Sequence, residues 1–206
     1  SLLKSNSNIF LISLLFYPVT IFPVFYLCRF KYKFNFKLTL SYLGFTHPKK
    51  NFSHNIILNL ISPYLLAAST WIVGLLFIGV WYYLINYFNI HWLTPPNSGD
   101  SMPEYLSKSF FLFCIVAILI APISEEIFFR GFLLKTFNIK YGNKRSVILT
   151  SLIFALFHLH IGAVIPVFIL GLSISWIKIK TESLLPCIAI HIIQNTFAII
   201  LSITNI

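Results

Sequence analysis

Two carboxylates stand side by side in Ser124-Glu125-Glu126-Ile127-Phe128, followed by Phe129 and Arg130, in a stretch that is otherwise apolar. The whole chain holds only five acidic residues. An ionisable group inside a membrane span costs at least a few kcal/mol, so its default reading is a functional site. Glu126 and Arg130, four residues apart, share a helix face and can neutralise each other as an ion pair. Such a pair serves a purely structural role equally well. Glu125 lies ~100° around the helix from Glu126 and ~140° from Arg130, without a partner close in sequence. A carboxylate withdrawn from water and left without a near cation suits a general base working near neutrality. Pro122, just before the pair, has no N–H for the carbonyl of Ile118, so a kink or an opening to water is expected there.

Two further polar constellations interrupt apolar helices. Phe154-Ala155-Leu156-Phe157-His158 ends one, and His191-Ile192-Ile193-Gln194-Asn195 puts a histidine and an amide on one face of another. At about 1.5 Å per residue, Glu125 lies ~15 Å from Lys135, His158 ~18 Å from Ser146, Asn195 ~16 Å from Leu184, and His191 ~10 Å from Leu184. Three helices thus offer polar groups at similar depth, and in lipid such groups seek one another. His160 is ~200° from His158 and is read as interfacial. A carboxylate with a nearby histidine can deprotonate a water, while a second histidine and an amide donate to a developing oxyanion. That inventory fits amide hydrolysis. Gly-x-Ser-x-Gly and His-Glu-x-x-His are both absent. The bland alternative for His158, His191 and Asn195 is hydrogen bonding between packed helices.

The elements that must position these groups are membrane helices. The chain of 206 residues is 58% hydrophobic and 10% charged, with mean hydropathy +0.86, whereas soluble domains are about 25% charged. The expected fold is all-α, a multi-pass transmembrane bundle of about six spans forming one membrane domain, residues 1–206. Residues 1–107 would supply N-terminal helices and a basic interfacial segment, and 108–202 a catalytic core of four helices. Spans are expected near 8–28, 56–89, 108–137, 146–160, 162–177 and 184–202. The run 56–89 exceeds one bilayer thickness and is expected to tilt or begin along the interface. The first apolar run of the chain, near 8–28, reads as a span rather than a signal peptide, since it lacks a small-x-small cleavage site. The alternating Phe30-Lys31-Tyr32-Lys33-Phe34 suits an interface. Trp71, Trp81, Tyr82, Tyr83 and Trp92 read as lipid-facing or belt residues.

The basic residues support this layout. Outside the spans or at their ends, twelve (Arg29, Lys31, Lys33, Lys37, Lys49, Lys50, Lys135, Lys140, Lys144, Arg145, Lys178 and Lys180) fall on one side and two (Lys4 and Lys108) on the other, as the positive-inside rule expects. The net charge of +10 is therefore a matter of membrane orientation and anionic headgroups rather than nucleic acid. Cys28, Cys114 and Cys187 are scattered in apolar runs and give neither a disulfide framework nor zinc-knuckle spacing.

Glu125-Glu126-x-x-x-Arg130, then Phe154-x-x-x-His158, then His191-x-x-x-Asn195, in this order, resembles the CPBP family of intramembrane proteases. That family includes CAAX-processing endopeptidases and the bacteriocin-processing or self-immunity proteins of the Abi group. The resemblance covers roughly residues 108–202. It implies that Glu125 and His158 activate the water, that His191 and Asn195 stabilise the oxyanion, and that Glu126 and Arg130 support the site. It leaves two chemistries open, zinc held by Glu125, His158 and His191, or a glutamate-dependent reaction without metal. The shared face of His191 and Asn195 favours the second, with no cofactor.

The expectation is an intramembrane endopeptidase acting on membrane-associated peptides or lipidated proteins, embedded in the lipid bilayer, with no nucleic-acid partner. Richness in Phe, Ile, Asn and Lys points to an AT-rich genome, which favours a bacterial cell membrane and bacteriocin processing over a eukaryotic internal membrane. The rivals are a non-catalytic scaffold or bacteriocin-immunity protein of the same fold, and a transporter or proton relay. The last is disfavoured by the lack of paired broken helices.

Overall fold

The computed structural model describes residues 17–48, 56–94 and 110–204. The start of the first expected span, Lys49, Lys50, most of the polar loop around residues 95–107 and Lys108 lie outside the described residues. Helix α1 covers residues 17–31 and closes with a wide π-type turn, Leu27–Lys31. Helix α2, Phe36–Leu43, is bounded as its sequence dictates: the Asn35 side chain accepts from the Leu38 N–H, and Gly44 ends it in the left-handed region at φ 98°. Phe30 and Phe36 are exposed, in keeping with an interfacial segment. The run beginning at Ile56 is one helix, α3, Ile56–Tyr87, which passes through Pro63 without a break.

Among the described residues, four helical stretches are long and apolar enough to cross a membrane: Ile57–Tyr87, Phe110–Leu156, Ile161–Thr181 and Leu185–Ile203. The second is two helices. At Gly142 the backbone adopts φ 75° and ψ 173°, a conformation essentially reserved for glycine. Along an unbroken α-helix Phe129 and Phe154 would stand ~37 Å apart; their rings instead meet edge to face with centroids 5.0 Å apart. Gly142 thus turns the chain back on itself, and the run divides into α4 (residues 110–141) and α5 (residues 143–156). The short basic turn expected here is reduced to this single glycine, with helix on either side.

Helix α5 stops at Leu156, four residues before the expected end at His160. The cause is local: the His158 N–H bonds back to Ala155, and the His158 ring takes the Phe154 carbonyl that the helix would have used. Leu159 then turns through the left-handed region at φ 52°. Helix α6, Ile161–Thr181, runs beyond the expected Ile177 because Ile177 and Thr181 are both buried, and it stops at left-handed Glu182. Helix α7 is Leu185–Thr204.

Two apolar clusters hold the bundle. Ala67, Ile174, Ile177, Cys187 and Ile190 knit α3, α6 and α7, with Trp71 packed against them. Val24, Leu43, Ile127 and Leu184 join α1, α2, α4 and the start of α7. The α2 end is fastened by polar contacts as well: Leu184 N–H donates to the Gly44 carbonyl at 2.8 Å, Ser183 to the Thr46 carbonyl at 2.6 Å, and Lys135 to the Tyr42 carbonyl at 2.9 Å. At Gly131 a β-carbon would come within 3.2 Å of Leu43, so this glycine lets α2 approach α4. Only 11% of the most apolar stretch of α3 is buried against the rest of the protein. Trp71 departs from the belt reading: its indole N–H donates to Gln194 at 2.6 Å, because an indole turned into a bundle needs a polar partner.

Candidate active site

Helix α4 carries two π-type stretches, Val116–Ile120 and Glu126–Leu133, in which hydrogen bonds reach five residues rather than four. The first ends just before Pro122, where a kink or an opening to water is expected. The Ala121 N–H serves the Val116 carbonyl. In this register the carbonyl of Ala117 would look to residue 122, and proline has no N–H to give. Asn195 of α7 supplies it, its Nδ2 donating to the Ala117 oxygen at 2.8 Å. That contact uses one of the two N–H groups of the amide.

About two and a half turns beyond Ala117, Glu126 is fully buried. Its Oε1 accepts from Arg130 Nη1 at 2.8 Å and from His191 Nδ1 at 2.8 Å. The ion pair expected from the four-residue spacing is present, and His191 is its third member. Arg130 is also fully buried, with its guanidinium carbon 4.2 Å from the centre of the Phe154 ring. Phe154 touches the site on three sides, for its ring also meets those of His158 at 5.0 Å and His191 at 5.9 Å. A cation over an aromatic face gains roughly 0.5–2 kcal/mol. Glu126 Oε2 and Arg130 Nε and Nη2 have no hydrogen-bond partner among the described residues.

Glu125 differs from its neighbour. Its side chain is 16% exposed, and its Oε2 lies 3.8 Å from His191 Nε2. It also interacts electrostatically with His158. His158, exposed just beyond the end of α5, donates from Nδ1 to the Phe154 carbonyl at 3.0 Å. A carbonyl can only accept, so Nδ1 bears the proton and Nε2 of the neutral ring keeps its lone pair. For His191 the same logic gives Nδ1–H to the Glu126 carboxylate, and Nε2 becomes a donor when the ring is an imidazolium.

The structure therefore brings Glu125, Glu126, Arg130 and His191 into direct contact, joins His158 to them through Phe154, and ties Asn195 to α4 nine residues before Glu126. His160 takes no part in these contacts; it stands at the N-cap position of α6 without a side-chain cap bond. Sequence reasoning picked out Phe154 as part of a motif but gave its ring no role, and it missed the Ala117 carbonyl and the Trp71–Gln194 bond. The carbonyl left a signal, since Pro122 had to orphan some acceptor on α4. Among the described residues no three His, Cys, Asp or Glu side chains are grouped as a metal site.

Residues 107–197 match the family model described as type II CAAX prenyl endopeptidase Rce1-like. The matched segment coincides with the segment whose three motifs resemble the CPBP family and covers every residue of the cluster. The likeness is to CAAX prenyl endopeptidases and spans 91 of the 206 residues. No match was found among curated proteins or among solved structures.

Proposed function

We propose that this integral membrane chain, with its Rce1-like segment at residues 107–197, hydrolyses a peptide bond in membrane-associated peptides or lipidated proteins by means of a water activated between Glu125 and His158. The observation that carries the reading is the division of labour between two adjacent carboxylates. Glu126 is fully buried and committed to Arg130 and His191, whereas Glu125 keeps 16% exposure and faces the Nε2 edge of His191. Paired carboxylates in contrasting environments are the usual mark of distinct structural and catalytic roles.

In this mechanism the water hydrogen-bonds to Glu125 and to the lone pair of His158 Nε2. It attacks the scissile carbonyl carbon as Glu125 takes its proton. The carbonyl oxygen becomes an oxyanion facing His191 Nε2–H and the second N–H of Asn195, the groups whose charge and donors suit it. Collapse of the tetrahedral intermediate breaks the C–N bond, and the proton held by the base passes to the leaving amine. No step runs through a metal. The site lies within the bilayer near the basic face of the protein, where a membrane-bound peptide can reach it, and a bacterial cell membrane suits the composition best.

The test compares wild type with Glu125→Gln, purified in detergent, on a panel of membrane peptides read by mass spectrometry with and without chelator. The expected outcome is cleavage by wild type, unaffected by chelator, and a fall of about 10²–10⁴-fold in the variant. Loss with chelator and recovery with zinc would overturn the metal-free mechanism. Equal behaviour of the two proteins in cleavage and in cellular phenotype would leave a non-catalytic scaffold as the reading.

A further inference from the structure

A cavity of about 760 Å³ opens between α2, the inner end of the α4–α5 hairpin and the inner end of α6. None of Glu125, His158, His191 and Asn195 lines it. Its wall carries Arg130, Lys135, Lys144, Lys178 and Lys180 against a single carboxylate, Glu182. Two of these cations are steered by neighbours: Lys178 donates to the Glu182 carbonyl at 3.0 Å, and Lys135 sits 3.5 Å from the centre of the Tyr42 ring. Concave surfaces lined by one sign of charge focus potential and concentrate the opposite charge.

Arg130 is the second, independent observation. It is fully buried, it lines this cavity, and its Nε and Nη2 have no hydrogen-bond partner among the described residues. Two unsatisfied donors on a buried cation are expensive, and an anion of tetrahedral oxygens satisfies both at once. Val147, Ile148 and Trp176 are apolar members of the wall, and Ile148 is 51% exposed. The cavity lies on the face that the positive-inside rule assigns to the cytoplasm, where anionic lipids gather.

We propose that this basic cavity binds the phosphate of an anionic phospholipid headgroup, with Arg130 at its buried end, the lysines around its mouth and the acyl chains leaving past Ile148. The shared chemistry is a phosphate. A volume of about 760 Å³ is in the range that holds a drug-sized ligand, far more than inorganic phosphate fills, so the lipid is the favoured source.

The experiment measures the midpoint of thermal unfolding in neutral detergent with added short-chain phosphatidylglycerol, short-chain phosphatidylcholine or inorganic phosphate. The proteins are wild type, the cavity variant Lys144→Gln/Lys178→Gln/Lys180→Gln, and the matched control Lys31→Gln/Lys33→Gln/Lys37→Gln, whose lysines are exposed on the same face outside the cavity. Wild type and control should gain several degrees with phosphatidylglycerol and much less with phosphatidylcholine, and the cavity variant should lose most of that gain. If the triple variant fails to fold, the single variants Lys144→Gln and Lys180→Gln should each reduce the gain. An equal gain with inorganic phosphate at the same concentration keeps the site and overturns the lipid as its occupant. No gain in wild type, or an equal loss in the matched control, overturns the site.

Discussion

Removing either member of the Glu126–Arg130 pair should harm the protein more than removing both. Each side chain is fully buried, so Glu126→Leu leaves a guanidinium, and Arg130→Met a carboxylate, without its countercharge. Breaking a buried pair from one side costs about 3–5 kcal/mol, whereas replacing both partners with apolar groups of similar volume is often neutral. The third member sets the residue of the balance. In the double variant His191 Nδ1 loses the acceptor it holds at 2.8 Å, a deficit of about 1–3 kcal/mol. At roughly 2–4 °C per kcal/mol for a chain of this size, each single substitution should lower the unfolding midpoint by on the order of 10 °C, and the double by less than either. The assay is unfolding in mild detergent followed with a thiol-reactive dye, since Cys28 and Cys187 are both fully buried. The double variant should be well folded yet inactive, because nothing orients His191. A double variant that falls as far as the two singles added together would refute the argument, for it would mean that the charges do not compensate each other.

Asn195→Ala should cost about 1–3 kcal/mol by stranding the Ala117 carbonyl, and Pro122→Ala should recover part of that loss by restoring a backbone N–H; a proline substitution without effect in that background would show that the carbonyl is satisfied elsewhere. Gly142→Ala should destabilise by about 1–3 kcal/mol through backbone strain alone, since a β-carbon there meets nothing within 4 Å; chemical unfolding of the purified protein measures it. His158→Ala should lower kcat by about 10²–10⁴-fold with a small change in unfolding midpoint, because the ring lies at the exposed end of α5; a large fall in midpoint would point to a structural role. Trp71→Phe keeps the packing and loses the bond to Gln194, and should lower stability by about 0.5–1.5 kcal/mol, read in the same unfolding assay.

Much of this was readable in the sequence because the bilayer leaves few choices. Apolar runs of about 20 residues had to be helices, and a glutamate four residues before an arginine inside one had to pair with it. What escaped was set by tertiary contact. The end of α5 moved because the His158 ring replaced a backbone donor, and no propensity encodes that exchange. The continuation of α6 through Lys178 and Lys180 looked like a turn by composition, yet Ile177 and Thr181 on its other face are buried against the bundle. Trp71 read as a belt residue by type alone, while its partner lies 123 residues away. Glu125 has no partner close in sequence, and the one it meets, His191, comes from α7, 66 residues away.

The orphaned carbonyl of Ala117 also decides how two helices are aligned. Helix α7 meets α4 at two polar points, Asn195 on Ala117 and His191 on Glu126. If α7 slid by one turn, ~5.4 Å, both bonds would break together, and the stranded groups would add about 2–6 kcal/mol to the misaligned form. That gap would keep the slipped population between about one in thirty and one in twenty thousand. Proline, a residue better known for spoiling helices, thereby acts here as a registration mark that proofreads the docking of another.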